Sequence, residues 1–112
     1  MNPTRMRRNG RATALALALL LGATTAPAFA NQALASKYSC LACHAAATKL
    51  VGPAYKDVAA KYKDDKGAVD TLVKSIRNGG SGRWGDLAMP PQPQVPEADA
   101  KKLAEWILNG AK

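Results

Sequence analysis

Cys40-Leu41-Ala42-Cys43-His44 is the stretch that decides this chain. The only two cysteines and the only histidine of 112 residues fall within five positions. Two thiols three positions apart on a tight helical turn can reach two vinyl groups on one edge of a porphyrin. The adjacent imidazole then falls beneath the iron. C-x-x-C-H therefore reads as a c-type haem attachment site. Other uses of the same residues fit less well. A dithiol redox pair calls for a βαβ setting, and no part of this chain alternates with the period of a strand. Zinc needs four donors, and two Cys and one His leave a carboxylate to complete the set with no second motif. A lone disulfide beside a surface histidine is the plainest alternative.

The chain before the motif looks like a leader. Residues 1–30 hold Arg5, Arg7, Arg8 and Arg11, no acid, an Ala/Leu-rich run from Ala12 to Ala23, and a closing Ala28-Phe29-Ala30. A basic region, a short apolar run and an A-x-A site in that order predict a secretory signal peptide cut after Ala30. The run is shorter than the roughly 20 residues of a membrane-spanning helix, so no membrane span is expected. What remains, 31–112, is one domain. Twelve of the sixteen basic residues and all eight acids lie in it, giving a formal charge of +4 where the whole chain has +8. The basic residues are scattered, with Lys101-Lys102 the one adjacent pair, so no nucleic-acid partner is expected. A domain this small is marginal on apolar burial alone, which suits a covalently held cofactor at its centre.

The period of the apolar residues predicts an all-α fold with one long loop. Leu34–Tyr38 leads into the motif as a short helix. Pro53 stands at a plausible first helical position ahead of the stripe Tyr55, Val58, Ala59 and Tyr62. Val69, Leu72, Val73 and Ile76 repeat that spacing until Asn78-Gly79-Gly80. Pro96 opens the last helix, with Glu97 and Asp99 in its first turn and Ala100, Leu103, Trp106 and Ile107 on its buried face. Between them, Gly79–Val95 carries four glycines and three prolines, which suit neither helix nor central strand. A loop of that length in so small a domain is usually either functional or disordered. It also holds Trp84, Leu87 and Met89, which are expected to pack against something.

Haem iron in an electron carrier commonly takes methionine as its second axial ligand. Met1 and Met6 lie in the leader, so Met89 is the only methionine of 31–112. Methionine is ordinarily a gap filler. Met89, however, stands in the glycine/proline loop and is followed by Pro90-Pro91, which stiffen the backbone there.

Taken together, Cys40-x-x-Cys43-His44, the run Lys49–Ala59, Asn78-Gly79 to Trp84-Gly85, Met89-Pro90-Pro91 and Leu103–Trp106 resemble the small bacterial class I cytochromes c of the c-551/c-552 type. The resemblance covers essentially all of 31–112. It implies a cytochrome c fold of about four short helices around one covalently bound haem c, the first and last helices crossing. It implies Cys40 and Cys43 as thioether links, His44 and Met89 as axial ligands, the Pro53 carbonyl as acceptor for the far N–H of His44, and Trp84 as donor to a haem propionate. It implies a monomeric periplasmic electron carrier of a respiratory chain in a Gram-negative bacterium, with no substrate of its own. A quinol-oxidising complex would be the donor, and a terminal oxidase or nitrite reductase the acceptor. Two positions depart from the family's pattern. Gln92 stands where the family often has an Asn that orients the methionine sulfur. Ser75 stands where an Arg often approaches the propionates, leaving that charge absent or supplied by Arg83. The rivals are an open-iron haem peroxidase or gas-binding protein and a thiol oxidoreductase.

Overall fold

The computed structural model describes Gly22 and residues 29–112. Among the described residues there are four helices, α1 Phe29–Lys37, α2 Tyr55–Lys61, α3 Ala68–Asn78 and α4 Glu97–Leu108, with a 3-10 turn at Cys40–Ala42 between the first two. The only β pairing among the described residues is the isolated antiparallel bridge of Gly80 with Met89. The all-α expectation therefore stands. The expected leader lies outside the described residues except at Gly22 and at Phe29-Ala30, which form the first two positions of α1.

Helix α4 is the spine, packing against α1, α2 and α3. Its inward stripe of Ala100, Leu103, Ala104, Trp106 and Ile107 repeats at three- and four-residue intervals, which keeps one face of a helix apolar. Val58 of α2, Leu72 and Ile76 of α3, and Ala35 of α1 complete the cluster with Tyr55 and Val95. At the crossing of α1 and α4 the Tyr38 hydroxyl donates to Asp99, 2.6 Å away. The core is thin, since Leu103 and Val95 are the largest side chains fully removed from solvent. Among the described residues one buried side-chain polar atom has no hydrogen-bond partner, the indole nitrogen of Trp106.

Three helix starts differ from the sequence reading: α1 runs Phe29–Lys37, opening five residues before the expected Leu34. α2 begins at Tyr55, and Pro53 lies two residues outside it. The free amides of that first turn explain the shift. Tyr55 and Lys56 donate to the carbonyls of Ala45 and Ala46, at 2.9 and 3.0 Å, so the loop after the cysteine motif caps the helix in place of a side chain. Pro96 likewise precedes α4 in extended conformation, as its N-cap.

Candidate functional site

The cysteine motif is set by one unusual residue. Ser39 sits at φ 59°, ψ 23°, in the left-handed region, and turns the chain sharply out of α1. Such a conformation costs a non-glycine residue of order 1–3 kcal/mol. The turn that follows is tight, because the Cys40 carbonyl accepts from the amides of both Cys43 and His44, at 3.2 and 3.0 Å. Both thiols are free and half-buried. Burial pushes the Cys40 thiol above its ordinary pKa. No sequence signal marks Ser39 for this role.

His44 is gripped on three sides. Its Nδ1 lies 2.8 Å from the Pro53 carbonyl oxygen. A carbonyl can only accept, so Nδ1 is the donor, and Nε2 is the nitrogen that the neutral ring offers as a ligand. The Tyr55 ring stacks on the imidazole, centroids 5.2 Å apart and planes 16° from parallel. Gly52 closes the third side: a Cβ there would come 2.7 Å from Nδ1 and 2.8 Å from Nε2. The Gly52 amide donates to the Cys43 carbonyl at 2.7 Å, which fixes that approach. Tyr55 meets Trp106 edge-on at 5.5 Å, tying the imidazole to the core through two aromatic rings. Burial, and then the neighbouring cysteines, push the Tyr55 phenol far above its ordinary pKa. The sequence reading left Tyr55 in the core and passed over Gly52. Only the Gly52-Pro53 pair, a turn signal, hinted at either role.

Met89 lies on a second arm, Gly79–Val95. It is partly buried against the core cluster. Its amide donates to Gly80 at 2.8 Å and its carbonyl accepts from Gly80 at 3.1 Å. Gly79 makes this possible. At φ 71°, ψ −172° it occupies a region essentially reserved for glycine, and a Cβ would fall against the Met89 carbonyl and 2.8 Å from the Pro91 nitrogen. Beyond Pro91, the Gln92 amide donates to the Ile76 carbonyl at 3.0 Å, hanging the arm from α3. The Gln92 side chain turns to its neighbours: its Nε2 lies 3.4 Å from the Pro90 carbonyl, and its Oε1 accepts from Gln94 at 2.6 Å.

Trp84 is 38% exposed and Leu87 70%, so within the protein the loop packs less than its composition suggested. Lys61, which the sequence reading did not single out, supplies the ring's partner, its Nζ 4.5 Å from the Trp84 centroid. On the other arm Leu50 and Val51 are also exposed. Two surface hollows, one beside Trp106 of α4 and one along Val73–Asn78 of α3, have no residue of the motif in their lining.

These residues fit a covalently held haem. Two free thiols, an imidazole whose Nδ1 is taken up by the Pro53 carbonyl, a thioether and four exposed large apolar side chains are the parts such a group needs. They fit the alternatives less well. Among the described residues no three His, Cys, Asp or Glu side chains converge as a metal site. The dithiol sits on a 3-10 turn rather than in a βαβ unit.

Comparison with known proteins gives the same direction. A family model described as "Cytochrome C oxidase, cbb3-type, subunit III" matches residues 26–107. Cytochrome c-552 of Hydrogenobacter thermophilus is 56% identical over 81 residues, spanning 72% of this chain and 82% of that one. Cytochrome c-551 of Allochromatium vinosum is 52% identical over 87 residues, 77% of this chain and 93% of that one. The crystal structure of wild-type Nitrosomonas europaea cytochrome c552 matches with a TM-score of 0.69 at 52% identity, over 70% of this chain and 96% of that one. The chain thus belongs to the cytochrome c family, among the small c-551/c-552 proteins, and is a haem-based electron carrier with covalently attached haem c.

Proposed function

We propose that the protein is a periplasmic, monomeric one-electron carrier, made with a leader over residues 1–30 and working as 31–112. Cys40 and Cys43 would hold the haem through thioether bonds, His44 Nε2 and Met89 Sδ would ligate its iron, and Trp84 would donate to a propionate. It takes electrons from a quinol-oxidising complex and passes them to a terminal oxidase or nitrite reductase, with no bond chemistry of its own. The observation that carries this is the His44 imidazole, whose Nδ1 proton is committed to the Pro53 carbonyl at 2.8 Å. That contact fixes the tautomer and the ring orientation, as the partners of metal-bound histidines generally do.

Haem c, when bound, supplies the one-electron Fe(III)/Fe(II) couple. The chain's residues set its terms. Pro53, Tyr55 and Gly52 hold the imidazole in one orientation, so little rearrangement accompanies transfer. The Gly80–Met89 pairing fixes the backbone that carries the thioether. A neutral thioether favours the ferrous state and raises the potential. Exposed Leu50, Val51 and Leu87 offer apolar contact to a redox partner. Among the described residues no helix is long and apolar enough to cross a membrane.

The test is a redox titration of Met89→His and Met89→Ala beside the wild type. Met89→His is expected to lower the potential while the iron stays six-coordinate and low-spin. Met89→Ala is expected to open the site to carbon monoxide. An unchanged potential in Met89→His would end the His/Met assignment, since 31–112 holds no other methionine.

A further inference from the structure

The leader's expected cut falls inside a helix. α1 runs Phe29–Lys37, so the bond between Ala30 and Asn31 joins its second and third residues. In that helix the Ala33 and Leu34 amides have the Phe29 and Ala30 carbonyls as their acceptors, four residues back. Hydrolysis adds water across the bond and leaves a carboxylate on Ala30 and an ammonium on Asn31. Both acceptors depart with the leader. The shortened helix then starts with two bare amides and with a new positive charge at the positive end of its dipole.

The first turn of α1 matters to the site. Ala35 is fully buried in the core cluster, and Tyr38 donates to Asp99 of α4. The helix leads through the left-handed Ser39 directly into Cys40. A start that frays loosens the seat of the cysteine motif.

The residue uncovered by the cut supplies what the cut removes. Asparagine is a poor residue in a helix interior and one of the best at the N-cap, where its side-chain oxygen accepts from the amide two or three positions on. From position 31 those are the amides of Ala33 and Leu34, the two left bare. The new ammonium also finds a counter-charge. Asn31 lines the hollow beside Trp106 together with Lys102, Glu105 and Asn109 on the α4 side and Lys112. Glu105 is the one acid in that lining.

We propose that leader removal converts Asn31 from an interior helical residue into the N-cap of α1, with Glu105 as the counter-ion of its ammonium. Processing itself then closes the α1–α4 crossing that carries the cysteine motif. This rests on the reading that the leader is cut after Ala30.

The experiment compares two holoproteins, one processed to Asn31 and one whose cut is moved upstream so that it begins at Ala28. Mass spectrometry confirms the start of each. Hydrogen exchange at the Ala35 and Ser36 amides reads the opening of α1. In the processed form Asn31→Ala is expected to speed exchange about fivefold, as loss of a cap does, and Asn31→Asp to keep the wild-type rate. In the longer form Asn31→Ala slows exchange about twofold, because alanine is the better interior residue. Glu105→Gln speeds exchange about twofold in the processed form alone, as loss of an exposed ion pair does, and Lys102→Gln does not. The same sign for Asn31→Ala in both forms would overturn the inference. So would Asn31→Asp exchanging as fast as Asn31→Ala, or Glu105→Gln acting equally in both forms. A periplasmic wild-type protein that starts elsewhere than at Asn31 would overturn the leader reading and the inference with it, and its mass alone tells that failure from the others.

Discussion

The arm that carries His44 is tied mainly to itself, whereas the arm that carries Met89 is tied to the helices on either side. In the first, the closures are local. Cys40 to His44, Cys43 to Gly52, His44 to Pro53 and Ala45 to Tyr55 are hydrogen-bonded within a dozen residues of each other. In the second, the Gly80–Met89 bridge, the Gly82–Gly85 turn and the bonds among Pro90, Gln92, Gln94 and Val95 are local, and the ties that fasten the arm to the fold are borrowed. Ile76 holds Gln92, Ser75 holds Arg83, Lys61 holds the Arg83 carbonyl, and Arg77 donates to the Val95 carbonyl at 3.1 Å. Local closures cost little chain entropy, whereas ties to elements distant in sequence form only once those elements are in place. Such a difference makes the His44 side a fixed frame and the Met89 side the part that depends on the rest of the molecule, haem included.

The most drastic way to break the comparison is to remove the cofactor's attachment. With Leu103 and Val95 the largest fully buried side chains, the chain alone holds a small apolar core. Cys40→Ala/Cys43→Ala, prepared without haem, is expected to lose most of its helical circular dichroism and to show no cooperative melt. A melt like that of the holoprotein would mean that the helices hold both arms unaided.

A pair of glycines separates the arms more finely. Gly79→Ala places a side chain in a backbone region that costs of order 1–3 kcal/mol and drives it against the Met89 carbonyl. Lower stability and weakened methionine ligation are expected together, read from thermal melting and from the ferric methionine charge-transfer band. Gly52 is not among the positive-φ glycines, so its backbone accepts alanine and the His44 ring alone stands in the way. Gly52→Ala is expected to reorient the imidazole, seen as altered ferric g-values, with methionine still bound. If Gly79→Ala left both melting and ligation intact, the Gly80–Met89 crossing would not be what anchors the Met89 arm.

The same contrast explains what could be read from the sequence. The His44 side was legible because a fixed spacing, C-x-x-C-H, encodes its local geometry. The helices were legible from the period of Tyr55–Tyr62, Val69–Ile76 and Ala100–Ile107. Helix starts shifted because the carbonyls that cap α2 come from Ala45 and Ala46, backbone groups with no signature. Met89 stood out by being alone in 31–112 and followed by two prolines. The parts of its arm that depend on distant elements did not stand out. Lys61 on the Trp84 face is a pairing across more than twenty residues, and nothing in either residue type announces it. Tyr55 looked like core and is core; that its face also packs the imidazole depends on where the loop returns.

The smallest expected effect concerns which arm meets another redox centre. Both present apolar side chains, Val51 at 57% exposure beside the cysteine motif and Leu87 at 70% on the Met89 arm. Val51 has the firmer support, because the neighbouring Gly52 amide is bonded to the Cys43 carbonyl, and a rigid apolar contact pays less ordering entropy on docking than a mobile one. Charge contributes little. The +4 of residues 31–112 falls to about +2 with two ionised propionates, and steering by so small a charge is weak. Electron self-exchange between oxidised and reduced holoprotein, measured by NMR, is therefore expected to rise less than about tenfold from low to physiological ionic strength, as weak repulsion is screened. Val51→Ser should slow it more than Leu87→Ser. Equal slowing would place docking across both arms, and a steep salt dependence would show that charge rather than the apolar rim governs the encounter.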